Sequence, residues 1–105
     1  GMEGFASYAA NKEAIRGLTR VAATEWSKYG INTNAICPSV ATPALLEWAK
    51  LHPAEYEAVV GTTAMRAFAD GELHVGGTCL FLGSPEAKFI TGRTFDVDGG
   101  QNLRP

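Results

Sequence analysis

Only two short segments of this chain carry the residues of a strand, and they stand far apart. The first, "INTNAIC" from Ile31 to Cys37, mixes β-branched and small residues and runs into Pro38. The second, "RTFDVDGG" from Arg93 to Gly100, alternates Phe95 and Val97 and closes on paired glycines. What lies between them reads as helix. A tight turn would pair two strands antiparallel, whereas a long helical crossover lets them lie parallel in one sheet. The chain is therefore expected to be α/β with two parallel strands. Two strands are too few to carry helices on both faces, so the pattern is that of the end of a larger α/β domain.

The helical segments set the order. Residues 7 to 29 place Ala10, Ala14, Ile15, Leu18, Val21, Ala22 and Trp26 on a 3.6-residue period within a sequence rich in good helix formers. Ser7 is the expected N-cap and Gly30 the expected stop. After Pro38, "PSVATP" reads as a loop. "ALLEWAKLH" reads as a short amphipathic helix ended by Pro53, and "AEYEAVVGTTAM" as a second short helix. Beyond Asp70-Gly71, "ELHVGGTCLFLG" has helical spacing at Leu73, Val75, Cys79, Leu80 and Leu82, weakened by Gly76 and Gly77. The expected order is long helix, strand, two short helices, helix, strand.

Composition narrows the class. At 105 residues the chain is one domain at most, or part of one, and 46% hydrophobic with 19% charged residues is ordinary for a soluble globular protein. A net charge of −2 offers no basic field for nucleic acid or an anionic membrane. No apolar run reaches the roughly 20 residues of a membrane span, nothing resembles a signal peptide, and a cytoplasmic setting is expected. Gly1 before Met2 reads either as a residue left by tag cleavage or as native sequence. Cys37 and Cys79 lack metal or redox spacing and read as two buried thiols. His52 and His74 stand alone, so structural or surface roles are expected and no metal site. Trp26 and Trp48 read as packing residues.

The chemistry-bearing pair is Tyr8 and Lys12 in "SYAANKEAIRGL". Four residues apart on a helix, they share one face. A free tyrosine titrates near pH 10, too high for ready proton exchange at neutral pH. An adjacent ammonium favours the phenolate and lowers that value toward the range of an acid–base catalyst. Taken alone the pair is common on amphipathic helices and permits this chemistry without requiring it.

Its surroundings are more specific. "SYAANKEAIRGLTRVAATEWSKYGINTNAICPS" resembles the catalytic segment of the short-chain dehydrogenase/reductase family, with Tyr-x-Ala-x-Lys, Gly-Leu-Thr-Arg, and Tyr-Gly-Ile leading to Asn-Ala-Ile-Cys-Pro. "LFLGSPEAKFITGRTFDVDGG" is similar to that family's last helix and strand. The resemblance spans nearly the whole chain and implies the C-terminal part of a doubly wound, Rossmann-like domain over residues 1 to 105. It implies hydride transfer between NAD or NADP and a small carbonyl or alcohol substrate. Tyr8 would be the general acid/base, and Lys12 would bind the nicotinamide ribose and lower the tyrosine's pKa. Pro38, Val40 and Thr42 resemble positions that hold the nicotinamide carboxamide, and residues 43 to 68 the lid that shapes substrate choice. A homo-oligomer, dimer or tetramer, is the expected assembly.

Three departures stand beside the resemblance. The usual Pro-Gly is Pro38-Ser39, and the following threonine, Thr42, comes one residue early. The family's catalytic serine has no counterpart in these residues. Neither has the Gly-rich turn that holds the pyrophosphate, since Gly76-Gly77 lies in a helical pattern and Gly99-Gly100 closes a strand. The 105 residues by themselves are therefore expected to bind no cofactor and to be inactive. The alternative is a non-catalytic association module in which Tyr8 and Lys12 have no task. On that plainer reading Thr42 is a helix cap before Pro43, Asn34 satisfies a backbone neighbour, and Asp98 shapes the glycine turn. Substrate identity, and NAD against NADP, are not written in these residues.

Overall fold

The computed structural model describes residues 3–103, so the tag-cleavage reading of Gly1 and Met2 lies outside the described residues. The chain forms two compact units. The first comprises the residues up to Ile36 together with Ser84–Phe95, and the second comprises Cys37–Gly83 together with the residues from Asp96 onward.

In the first unit, α1 spans Ala6–Trp26, a 3₁₀ turn follows at Ser27–Tyr29, and Gly30 ends it at φ 76°. Only a residue tolerant of the left-handed region suits that stop. The start differs from the expectation. Ala9 N–H already donates to Phe5 C=O at 2.8 Å, which makes Phe5 the N-cap and places Ser7 inside the first turn. The buried face differs as well. Thr19, Ala22 and Ala23 are buried, while Ile15, Leu18, Val21 and Trp26 of the expected stripe are about half exposed or more. Small residues win the inner face because the backbone beyond the turn Pro85–Ala87 comes so close. Ala87 is fully buried, and a Cβ added at Gly92 would lie 3.2 Å from that of Ala23.

Residues 31 to 34 do not join the first strand. Their polar groups close onto the backbone before β2 instead. Asn32 Nδ2 donates to Ala87 C=O (3.1 Å), and Asn34 Nδ2 to Ile90 C=O (2.8 Å). Asn34 Oδ1 accepts from Arg93 N–H (3.0 Å), and Thr33 N–H donates to Thr91 Oγ1 (3.0 Å). The strands are β1 at Ala35–Pro38 and β2 at Thr94–Val97, paired in a two-stranded parallel sheet. The parallel sense follows from the register: Ala35 N–H meets Arg93 C=O (2.9 Å) and Ser39 N–H meets Val97 C=O (3.1 Å), both partners advancing together. Pro38 is the last residue of β1 rather than its terminator. Alternate residues face β2, so its missing N–H falls on the other edge, where proline is tolerated.

In the second unit, α2 spans Pro43–Leu51 and α3 spans Pro53–Val60. Thr42 Oγ1 accepts from Leu45 N–H at 3.2 Å, and Pro43 supplies the first helical residue, so Thr42 is the cap its sequence position suggested. The chain then returns to the end of β1 through a parallel bridge between Val40 and Ala69. The predicted helix after Asp70 is divided: Gly71–Gly76 is a π-helix and Gly77–Leu82 is α4, with the two glycines at the junction. Asp70 Oδ1 accepts from Leu73 N–H (2.7 Å), and Asp70 N–H donates to His74 Nδ1 (2.8 Å). This is a reciprocal cap with histidine in the role usually played by glutamate.

Neither cysteine forms a disulfide, and neither is buried; Cys79 is exposed. The tryptophans also pack less than expected. Trp26 keeps an exposed flank, and Trp48 stacks on His52 at 5.0 Å between ring centroids while staying partly exposed. Among the described residues no helix is long and apolar enough to cross a membrane.

Candidate active site

The predicted site residues fall in two places. Tyr8 and Lys12 lie in the first unit, near the start of α1, where both are exposed. The lysine ammonium rests over the tyrosine ring, 5.3 Å from its centroid, as a cation does against an aromatic face. Phe5 meets the same ring edge-on at 6.0 Å. Tyr8 is 58% exposed, and neither its hydroxyl nor the Lys12 ammonium forms a hydrogen bond among the described residues. Both groups are thus held near one another with unused bonding capacity.

Pro38, the last residue of β1, and Val40 and Thr42, on the loop leaving it, lie in the second unit. Ser39 and Ala41 tie that loop down: Ser39 C=O accepts from Ala69 N–H (2.8 Å), and Ala41 N–H donates to Ala69 C=O (3.1 Å). Val40 is left with its own N–H unpaired among the described residues, while its C=O accepts from Thr42 N–H at 3.0 Å. The Thr42 oxygen accepts the cap bond from Leu45, leaving its hydroxyl proton to give. Pro38 contributes no N–H. A backbone donor and a hydroxyl donor therefore stand two residues apart on a braced loop.

The end of β2 is organised by Asp98. The buried carboxylate accepts from Gly100 N–H (3.0 Å), Asn102 N–H (2.8 Å) and Asn102 Nδ2 (3.1 Å). Burial pushes its pKa up, and hydrogen bonds from Asn102, Gly100 and Gln101 outweigh that, leaving it below the ordinary carboxylate value. Its role is the turn. Gly100 sits at φ 75°, and a Cβ there would approach the Ala64 Cβ to 2.9 Å, so both backbone conformation and space demand glycine.

Concavities open to solvent lie in both units. One of about 410 Å³ in the first unit is lined by Arg20, Ala23, Thr24, Ser27, Thr91 and Gly92. One of about 380 Å³ in the second is lined by residues including Met65, Phe68, His74, Asp96 and Asp98. Neither is lined by any of the five predicted site residues. Among the described residues no group of His, Cys, Asp and Glu is placed to hold a metal. Sequence reasoning missed the partners of Ser39 and the His74 cap. The first left a trace in the departure from Pro-Gly, and the second in the Asp70-x-x-x-His74 spacing.

The family sequence model described as enoyl-(acyl carrier protein) reductase matches residues 1–102. The chain belongs to the short-chain dehydrogenase/reductase family. The dehydrogenase/reductase chain is 46% identical over 105 residues to the 12alpha-hydroxysteroid dehydrogenase of a Clostridium species, covering all of this chain and 40% of that protein. Among solved structures it is similar to sorbitol-6-phosphate 2-dehydrogenase SrlD of Erwinia amylovora, with a TM-score of 0.85 at 25% identity over 99% of this chain and 44% of that one. It is similar also to ElxO with NADP bound, with a TM-score of 0.80 at 29% identity over 90% and 38% of the two chains. The α/β architecture with two parallel strands is thus that of Rossmann-fold members of the family. The chain spans about 40% of the length of the first of these relatives.

Proposed function

We propose that this short-chain dehydrogenase/reductase chain carries the proton-transfer group of an NAD(P)-dependent oxidoreductase acting on a small carbonyl or alcohol. The observation that supports the reading best is the Tyr8–Lys12 pair itself: an exposed phenol with an ammonium against its ring, both with unspent hydrogen-bonding capacity. Tyr8 gives its hydroxyl proton to the substrate oxygen in reduction and receives it in oxidation. Lys12 donates to the ribose hydroxyls, and its charge favours negative charge on the phenolic oxygen as the proton leaves.

The residues present fit a nicotinamide nucleotide. The unpaired Val40 N–H and the Thr42 hydroxyl are donors suited to a carboxamide oxygen, and Pro38 offers a carbonyl for its amide. When bound, that cofactor supplies or accepts the hydride. The residues of 43–68, of which α2 and α3 form the greater part, would shape the choice of substrate. Lys12→Ala in the intact protein tests this reading. Turnover and cofactor affinity are expected to fall together, because the ammonium serves both. A variant with unchanged cofactor affinity and more than half the turnover would contradict it.

A second reading is favoured by a different observation. Ile15, Leu18 and Val21 are exposed on α1, with Leu18 at 67%, and apolar groups set together like this mark an interaction surface. Self-association through that face, as a dimer or tetramer, is compatible with catalysis and would be the chain's sole task if Tyr8 proved idle.

A further inference from the structure

A line of side-chain hydrogen bonds crosses the second unit from the end of β1 to the end of α3. Ser39 Oγ donates to Gln101 Oε1 at 2.7 Å, Gln101 Nε2 donates to Thr62 Oγ1 at 2.8 Å, and Thr62 Oγ1 donates to Val59 C=O at 2.7 Å. Only one arrangement of protons satisfies all three. The Thr62 proton goes to the Val59 carbonyl in the last turn of α3, which also accepts from Thr62 N–H at 3.0 Å. Thr62 oxygen must then accept, which turns the Gln101 amide nitrogen toward it and the amide oxygen toward Ser39. Ser39, facing an acceptor, must donate.

The two ends of this line are anchored differently. Ser39 is fixed by its backbone, donating to Val97 C=O of β2 at 3.1 Å and accepting from Ala69 at 2.8 Å. Gln101 follows the Asp98 turn, and its own N–H donates to Asp98 C=O at 3.2 Å. The segment after α3 is held nearby, because Met65 N–H donates to Gly99 C=O at 3.0 Å and Thr63 is 1% exposed. By contrast α2 and α3 have no buried residues, so little apolar packing restrains them. Tyr56 of α3 meets Phe68 at 5.7 Å between ring centroids, so α3 is held by this contact and by its hydrogen-bonded end.

We propose that Ser39 is a positioning residue: through Gln101 and Thr62 it latches the C-terminal end of α3 to the loop that carries Val40 and Thr42. A glycine at position 39 has no hydroxyl and could not start this line. Thr42 caps one end of the α2–α3 segment and the latch closes the other, so both ends are held from the same braced loop. The proposal goes beyond the oxidoreductase reading, and its test is independent of activity.

Amide hydrogen exchange in the intact protein decides it. Ser39→Ala, Gln101→Leu and Thr62→Val should each speed exchange of the last-turn amides of α3, by about three- to tenfold for one net hydrogen bond. Gln101→Glu keeps an acceptor for Ser39 but loses the donor to Thr62, and should speed the same amides. Thr62→Ser keeps both functions and should restore wild-type rates. Because the residues act in series, Ser39→Ala with Thr62→Val should exceed the larger single effect by little. Amides of α1 should not change. Unchanged α3 exchange in Ser39→Ala and Gln101→Glu would overturn the latch. So would equal acceleration in α1 and α3, or single effects that multiply.

Discussion

Asp98 shows how one residue can be read correctly from local chemistry. An aspartate before two glycines suggests a turn, and its carboxylate takes the amides of Gly100 and Asn102. With its folded pKa below the ordinary 3.8, protonation costs the fold these bonds. A depressed carboxylate contributes stability that is present above its unfolded pKa and lost as pH falls through the folded one. Urea midpoints of the wild type should therefore decline as pH drops below about 4, while Asp98→Asn should be less stable at neutral pH and flatter across that acid window. A variant with the same acid slope as wild type would remove Asp98 from the account. Thr42 and Asn34 were legible for the same reason as Asp98, since each meets backbone close by or in an expected neighbour. The Ser39 latch was not. Ser39 and Gln101 lie 62 positions apart, and nothing local in either names the other.

At the scale of elements, periodicity located α1 and the two short helices, but it did not say which face would be buried. A 3.6-residue stripe identifies an apolar side; the identity of the inner side depends on what packs there. Here the close approach of Gly92 to Ala23 favours the small residues Thr19, Ala22 and Ala23 inside, and leaves the larger residues outside. The first strand came out shorter than its composition suggested because Asn32 and Asn34 spend their amides on the backbone of residues 87 to 93. The outward face of α1 has a consequence for assembly. The 105-residue chain should self-associate at tens of micromolar, with Leu18→Lys shifting the population toward monomer by placing a charge within the apolar group. Sedimentation equilibrium measures this. A folded wild-type species at 11.1 kDa would contradict the association.

At the scale of the whole molecule, family membership was legible because markers occur in order from Tyr8 to Gly100, and the match extends over residues 1–102. Substrate identity was not, because no motif in these residues names one. The pyrophosphate of a dinucleotide is ordinarily gripped by a Gly-rich turn at a helix N-terminus, and these 105 residues contain no such turn. Titration calorimetry of the 105-residue polypeptide should therefore show no saturable binding of NAD(H) or NADP(H), whereas a micromolar dissociation constant would mean that the Val40–Thr42 loop and Lys12 grip the cofactor unaided. The central claim concerns Tyr8, and it reduces to one atom. Tyr8→Phe removes the hydroxyl while leaving the ring on which Lys12 and Phe5 rest. In the intact protein, steady-state turnover with a carbonyl substrate should fall by about 10² to 10⁴, the usual worth of a general acid, with cofactor affinity nearly unchanged. Turnover above half that of the wild type would contradict the assignment of Tyr8 as the proton donor.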